Sequence, residues 1–318
     1  MVSPQSTGRL VSFQPPHPIP YQGSKRKLAP HILEFYPARV PRLVEAFAGS
    51  AALTLSAATR GLASKYVIND SLAPLAELWS QIIENPHHVA DSYESLWRGQ
   101  IDDPATSYRR IRRQFNTTAH PIALLYLLAR CVKAAVRFNA AGQFNQSADN
   151  RRLGAHPDVM RSHLCRASTT LRGRTSVHGL DYRDILDRVV AGDVVYLDPP
   201  YLGTSNARDS RYHQGINFAQ FLLELDRLNS RNIPYALSFD GRSGDKSYGR
   251  ELPTELHLVR IEIVVGRSSQ ATLNGRNDIT IESLYLSPAL AAMSNAQAGT
   301  LDLTKRTSSQ LAMGFPAP

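Results

Sequence analysis

Cysteine is nearly missing: 318 residues carry two, Cys131 and Cys165, in no CxxC pair. So large and cysteine-poor a chain cannot rest on a disulfide framework, and two free buried thiols are expected. No histidines stand at metal-ligand spacing, so no metal is expected. Long apolar runs are also missing. The longest, Ile122 to Val132, is broken by Arg130 and is too short to cross a bilayer. The opening stretch, MVSPQSTGRLVSFQPPHPIP, lacks the apolar core of a signal peptide, so a cytoplasmic protein with no membrane partner is expected. Acidic residues are outnumbered, 27 against 36 Lys and Arg, which leaves a formal charge of +9 and a pI near 9.7. That surplus points to a polyanionic partner and says nothing about fold.

What the sequence does contain centres on DVVYLDPPY, Asp193 to Tyr201. Val194 to Leu197 reads as a buried strand that delivers Asp198 to its carboxyl end, where open α/β sheets bind ligands. Pro199 and Pro200 fix φ twice and remove two N–H donors, which leaves rigid acceptors beside the carboxylate. Tyr201 adds a flat face. A planar group bearing an NH2 fits this arrangement: Asp198 and the Pro199 carbonyl accept its protons while its ring stacks on Tyr201.

Upstream, RLVEAFA (42–48), Gly49-Ser50 and the alanine-rich run Ala51 to Arg60 make a strand, a glycine turn and a helix that Gly61 ends. Such a unit lets a ligand approach the backbone at a helix N-terminus. SKYVIND follows as a strand ending on Asp70, about 20 residues past the turn, the offset of a ribose-binding carboxylate. Capping the helix predicted over Ser71 to Ile83 is the competing role for Asp70. Ahead of the first strand, Pro20 to Leu28 forms a glycine turn in which Gly23 permits close approach and Lys25 adds a cation.

From 85 to 175 the strand and helix alternation stops and arginine becomes dense. On helices, Arg109, Arg112 and Arg113 share one face, and Arg130, Lys133 and Arg137 another. Two such stripes near Asn139, Gly142, Asn145, Arg151 and Arg152 favour phosphate contact over a merely solvated surface. The α/β pattern then resumes with TSVHGLDY (175–182), a short strand expected to end in Asp181-Tyr182. Asn217 is expected to cap a helix over Phe218 to Leu228, and strands are predicted over Pro234–Phe239, His257–Val265 and Ile281–Leu286. The polar loop LGTSNARDSRYHQG (202–215) has the length of a lid, and a second polar loop carries Arg267 and Arg276.

Asp198-Pro199-Pro200-Tyr201 resembles motif IV of the amino-methyltransferases. Phe47-Ala48-Gly49-Ser50-Ala51 resembles motif I, with Ala51 where a second glycine is usual. Tyr21, Gly23 and Lys25 resemble motif X, and Asp181-Tyr182 motif III, with Asp184 as its rival. Tyr108, Phe115-Asn116, Arg137-Phe138-Asn139 and Gly142 to Asn145 resemble the recognition insertion of Dam-type enzymes, although ARCVKAAV lacks their glycine and asparagine pattern.

The order of these motifs is similar to the α group of N6-adenine DNA methyltransferases. The resemblance implies a Rossmann-like α/β fold, with a mostly parallel sheet closed by an antiparallel hairpin and an inserted, mainly helical recognition domain. It implies S-adenosylmethionine (SAM) held by Tyr21, Gly23, Lys25, Phe47, Gly49, Ser50, Asp70, Asp181, Tyr182 and Asp198. It further implies duplex DNA as substrate and leaves room for a cognate restriction endonuclease. The expected organisation is a flexible arm (1–18), a SAM-binding domain (19–84 and 175–287), a recognition domain (85–174) and a disordered tail (288–318). The rival readings are methylation of cytosine N4 or of RNA adenine, and a DNA-binding module without catalysis. Neither cysteine has the Pro-Cys context of covalent cytosine C5 attack, and a protein-glutamine enzyme would show Asn in place of Asp198.

Overall fold

The protein is described from a computed structural model, over residues 14–200, 216–243, 246–248, 251–267, 279–294, 296 and 299–302. Its β-branched and aromatic runs form β1 (Val40–Glu45), β2 (Ala63–Asn69), β3 (Thr175–His178), β4 (Asp193–Leu197), β5 (Tyr235–Ser243), β6 (Lys246–Tyr248), β7 (Val259–Arg267), β8 (Ile279–Leu286) and β9 (Gly299–Asp302). These join in one sheet, in the order β3-β2-β1-β4-β5-β8-β7-β9 with β6 paired to β5. The β1 to β5 pairings are parallel, and β8 runs antiparallel between β5 and β7. This is the Rossmann-like arrangement with a closing antiparallel hairpin.

Every residue of β4 is buried, as a central parallel strand covered on both faces requires. Side chains alternate between two cores with the period of a pleated strand. Leu43, Tyr66, Val194 and Tyr196 face one cluster, whereas Val44, Val67, Val195 and Leu197 face the other. The second cluster is closed by α8 (Tyr182–Asp187) and α9 (Phe218–Ser230), the latter capped by Asn217, whose Oδ1 accepts the Gln220 N–H at 3.1 Å.

The other face carries α1 (Ala29–Ile32), α2 (Ala52–Thr59), α3 (Ala73–Glu84), α4 (Pro86–Arg98), α5 (Pro104–Thr118), α6 (Pro121–Arg130) and α7 (Pro157–Leu171). Prolines open α4, α5, α6 and α7, where a missing N–H costs nothing and φ is already helical. All ten residues of α6 are buried. The apolar core runs unbroken from the sheet into α4–α7: Trp79, Tyr93, Leu125 and Leu164 belong to one cluster. Helix α7 docks on the helices that cover the sheet, with Ser168 Oγ donating to the Ile83 carbonyl of α3 at 2.6 Å, and Arg174 just beyond it donates from Nη2 to the Ala58 carbonyl of α2 at 3.2 Å.

Three expectations need correction. The arm is not loose throughout: Pro16 and Pro18 are buried, and the His17 N–H reaches His163 Nδ1 at 3.2 Å. Strand β3 ends at His178, so Asp181 does not terminate it. Disorder from 288 fails at α10 (Pro288–Ser294) and β9. Ser287 Oγ accepts the Leu290 N–H, Leu290 is fully buried, and β9 pairs with β7 through backbone bonds that need no side-chain pattern.

Candidate active site

The strand order reverses between β1 and β4, and a cleft opens beyond their carboxyl ends. One wall is the turn after β1. Gly49 has φ +48°, its N–H donates to Asp70 Oδ2 at 2.9 Å, and its carbonyl accepts Trp79 Nε1–H at 2.9 Å. A Cβ on Gly49 would lie 3.0 Å from the Tyr21 ring, so glycine is what lets the 21–28 segment lie over the turn. Ser50 Oγ donates to Ser24 Oγ at 2.7 Å across the same contact. Ala51, fully buried, adopts left-handed φ +47° and ψ 41°. Its methyl group is accommodated at the cost of that strained backbone. Glu45 lies beneath and accepts the Thr54 N–H at 2.9 Å; burial pushes its carboxyl up to about 7.

The opposite wall is Asp198-Pro199-Pro200, delivered by β4. Lys25 Nζ sits 2.9 Å from Asp198 Oδ1 and 3.5 Å from Glu282 Oε2. Burial raises the Asp198 carboxyl to about 6, the Lys25 charge opposes the rise, and the Glu282 charge adds to it. Tyr201 and the 202–215 loop lie outside the described residues.

A second cleft adjoins the first through Phe47, Ser71 and Pro200 and contains Asp181 and Tyr182. The Tyr182 ring lies 5.1 Å from that of Phe47 and 5.8 Å from that of Phe221. Asp181 N-caps α8, accepting the Arg183 N–H at 3.0 Å and Nε–H at 2.8 Å. Burial opposes its ionisation, but the Arg183 bonds outweigh that and hold the carboxyl below its usual range. Asp70 does not cap α3, whose N-cap is Leu72: its Oδ2 braces the glycine turn, its Oδ1 accepts the Leu72 N–H at 3.0 Å, and the residue lines the cleft.

A family model described as D12 class N6 adenine-specific DNA methyltransferase matches residues 21–262. The chain belongs to that family. The D12 assignment favours adenine in DNA over cytosine N4, RNA or a non-catalytic module. Among curated relatives, the modification methylase StsI of Streptococcus sanguinis is 25% identical over 70% of this chain and 35% of its own length. This chain therefore spans about a third of StsI. The type II methyltransferase M1.LlaDCHI of Lactococcus lactis subsp. cremoris is 24% identical over 82% of this chain and 91% of its own length. The retron Ec67 DNA adenine methylase of Escherichia coli is 26% identical over 61% and 69%.

In this D12-class chain the predicted basic residues do not share one surface. Arg112 and Arg113 of α5 share a shallow basin with Asn139, Gln143 and Asn145, while Arg109 is exposed and bonds Thr106 Oγ1 at 2.9 Å. Residues 137–145 form a hairpin bridged at Phe138 and Phe144. Asn139 makes its turn, its Oδ1 accepting from the Ala141 and Gln143 amides at 3.0 and 2.9 Å. The Asn116 side-chain amide docks the hairpin on α5 by bonding the Phe144 N–H at 2.8 Å and its carbonyl at 3.1 Å, and Phe115 and Phe138 pack edge-on to Phe144. The preceding residue, Val136, lines the Asp198 cleft, so the basin lies beside it.

The second predicted stripe does not exist. Helix α6 stops at Arg130, Cys131 is extended and Lys133 is left-handed at φ 60°, so residues 130, 133 and 137 share no helix face. Arg130 is buried and donates to the Asp149 and Arg152 carbonyls, a structural use of its charge. Lys133 is exposed and Arg137 half-buried. Arg151 and Arg152 both pair with Asp149, at 2.9 and 3.2 Å, and the Arg151 bonds hold that carboxyl at about 2. The Arg267 backbone ends β7; its side chain and the whole of Arg276 lie outside the described residues.

Sequence reasoning missed several residues. Asn69 is fully buried and ties three segments together, donating to the Ala46 and Leu180 carbonyls and accepting the Leu180 N–H, each at 3.0 Å. An amide at a strand's end was the available signal. Trp79 and Glu282 left none, because each acts across more than 20 residues of chain. Among the described residues no group of three or more His, Cys, Asp or Glu could hold a metal, and no helix is long and apolar enough to cross a membrane.

Proposed function

We propose that this chain transfers a methyl group from SAM to the N6 nitrogen of adenine in double-stranded DNA, by direct displacement on a base extruded from the helix. The observation that carries this is Asp198 at the end of central β4, facing the same cleft as the Gly49 turn. The family's description, N6 adenine-specific DNA methyltransferase, supports the target atom.

The residues present suit the cofactor. Gly49 and Ser50 line the cleft as a tight turn, Asp70 and Asp181 offer acceptors for hydroxyl and amino hydrogens, and Phe47 and Tyr182 provide an aromatic wall between the two clefts. SAM supplies, when bound there, a methyl group activated by a sulfonium. The chain's own residues do the rest.

Extruding adenine costs a few kcal/mol, roughly, and exposes an amino group that the duplex hides. Stacking on Tyr201 would return about 1 to 3 kcal/mol. The N6 lone pair is delocalised into the ring and is a poor nucleophile. Asp198, ionised, and the Pro199 carbonyl accept the two N–H bonds, which draws the nitrogen toward tetrahedral geometry and aims its lone pair. Positioning and fixed dipoles then supply the acceleration, without a covalent enzyme intermediate.

Residues 85–174 carry target recognition in this reading, with the 137–145 hairpin and the Arg112–Arg113 face of α5 against the duplex. Lys133, Arg137, Arg151, Arg152, Arg267 and Arg276 complete the phosphate-contact set taken from the sequence. Kinship with a modification methylase and a type II methyltransferase supports a role beside a cognate restriction endonuclease. The deciding experiment is Asp198→Ala: methyl transfer to DNA should vanish while calorimetry still records SAM binding. Activity that persists removes Asp198 from the chemistry.

A further inference from the structure

An acceptor that must aim a lone pair needs a fixed direction, and the backbone gives Asp198 only part of one. A residue before proline is confined to extended backbone, so Pro199 settles the main chain at 198. The last torsion of a carboxylate is broad and two-fold, so the direction of its oxygens is left open. Lys25 closes that gap: its Nζ lies 2.9 Å from Oδ1, one oxygen of the two, and so leaves Oδ2 for a second partner. Asp198 lines the cleft and keeps 19% of its side chain exposed there.

Lys25 is itself held in place. Gly23 turns the chain at φ +85°, and the Lys25 carbonyl accepts the Leu28 and Ala29 N–H groups at 2.8 and 2.7 Å. Leu28 and Ala29 are buried, which anchors this turn in the core. The side chain is 6% exposed, and its ammonium also reaches the Gly23 carbonyl at 3.4 Å and Glu282 Oε2 at 3.5 Å. An ammonium fixed from several segments is a fixed point against which a carboxylate can be oriented.

We propose that Lys25 is a positioning residue that orients the Asp198 carboxylate, holding Oδ1 so that Oδ2 is turned to the target amino group. This rests on the adenine reading, and it gives Lys25 to the acceptor in place of the cofactor.

Orientation has a signature that a structural lysine lacks. In Asp198→Asn the side chain has one acceptor end and one donor end. The ammonium attracts the carbonyl oxygen, so the NH2 end faces the target amino group, donor against donor. Without the ammonium the amide can turn its oxygen to the base.

The test is single-turnover methyl transfer from radiolabelled SAM to unmethylated plasmid DNA, by wild type, Asp198→Asn, Lys25→Met and the double variant. It is run at about pH 9, so that ionisation of Asp198 does not limit the rate. Asp198→Asn should lose about a hundred-fold or more, and Lys25→Met about ten-fold with SAM affinity within about two-fold of wild type. Adding Lys25→Met to Asp198→Asn should return about ten-fold or more of the lost rate, the opposite of additive damage. A double variant no faster than Asp198→Asn overturns the orienting role, as does an Asp198→Asn rate within about ten-fold of wild type. Loss of SAM affinity in Lys25→Met overturns it too, because the lysine would then be a cofactor ligand. If the double variant does not fold, Lys25→Met decides alone: slower transfer at unaltered SAM affinity and melting temperature supports the role, and an unaltered rate overturns it. In each of these outcomes wild type is active and the methyltransferase reading stands. Wild-type protein that binds SAM and transfers nothing overturns both.

Discussion

Asp198 is the stronger N–H acceptor when ionised, and its surroundings make ionisation difficult. Burial raises its carboxyl to about 6 and Lys25 limits the rise. If Asp198 holds the target amino group, protonation weakens that hold as pH falls, so kcat/KM should climb with pH through about 6 and level off above. Lys25→Met should move that limb upward, because the opposing charge is gone. A pH–rate profile whose acid limb stays where it was on loss of the lysine would detach the limb from Asp198. Ala51 invites a second residue-scale test. Its left-handed φ of +47° is one that glycine adopts without steric cost, so Ala51→Gly should raise stability by about 1 kcal/mol in denaturant titration. No gain would mean that the added freedom of the unfolded chain cancels the relieved strain. The position of Asp198, Pro199 and Pro200 directly after a buried strand was legible from their order alone, since an apolar run and two prolines act on their own neighbours. Glu282 was not, because its meaning depends on which strand lies beside it.

At the scale of elements, α5 and the 137–145 hairpin form one unit, clipped by Asn116 and the Phe115, Phe138 and Phe144 rings. Its outward side carries Arg112 and Arg113 over the shallow basin. If Arg113 meets a phosphate, Arg113→Ala should weaken DNA binding on every sequence and lower the slope of log K against log salt by about 0.9. An unchanged slope takes α5 off the duplex. Periodicity put Arg112 and Arg113 on one face because α5 is helical through both. It failed at 130, 133 and 137 because Cys131 leaves the helix, and counting residues reveals a face only while the helix continues.

For the whole molecule, the core is continuous from the sheet into the inserted helices, and the carboxyl-terminal segment adds to it. Leu290, fully buried, anchors α10 beneath β5 and β8, so Leu290→Ala should cost about 2 to 5 kcal/mol. A melting temperature that does not fall would show that the segment adds nothing to the fold. Composition hid this segment because an edge strand and a seven-residue helix need few apolar residues when the surface they cover already exists. Local rules settled much from the sequence alone: strand runs, the glycine turn, proline-opened helices and the rigid acceptor after β4, all of which arise between near neighbours in the chain. Only the tertiary structure decided that Lys25, Glu45 and Asp198 line one cleft and that Glu282 reaches Lys25, because the energy of a buried charge depends on partners that folding brings from hundreds of residues away.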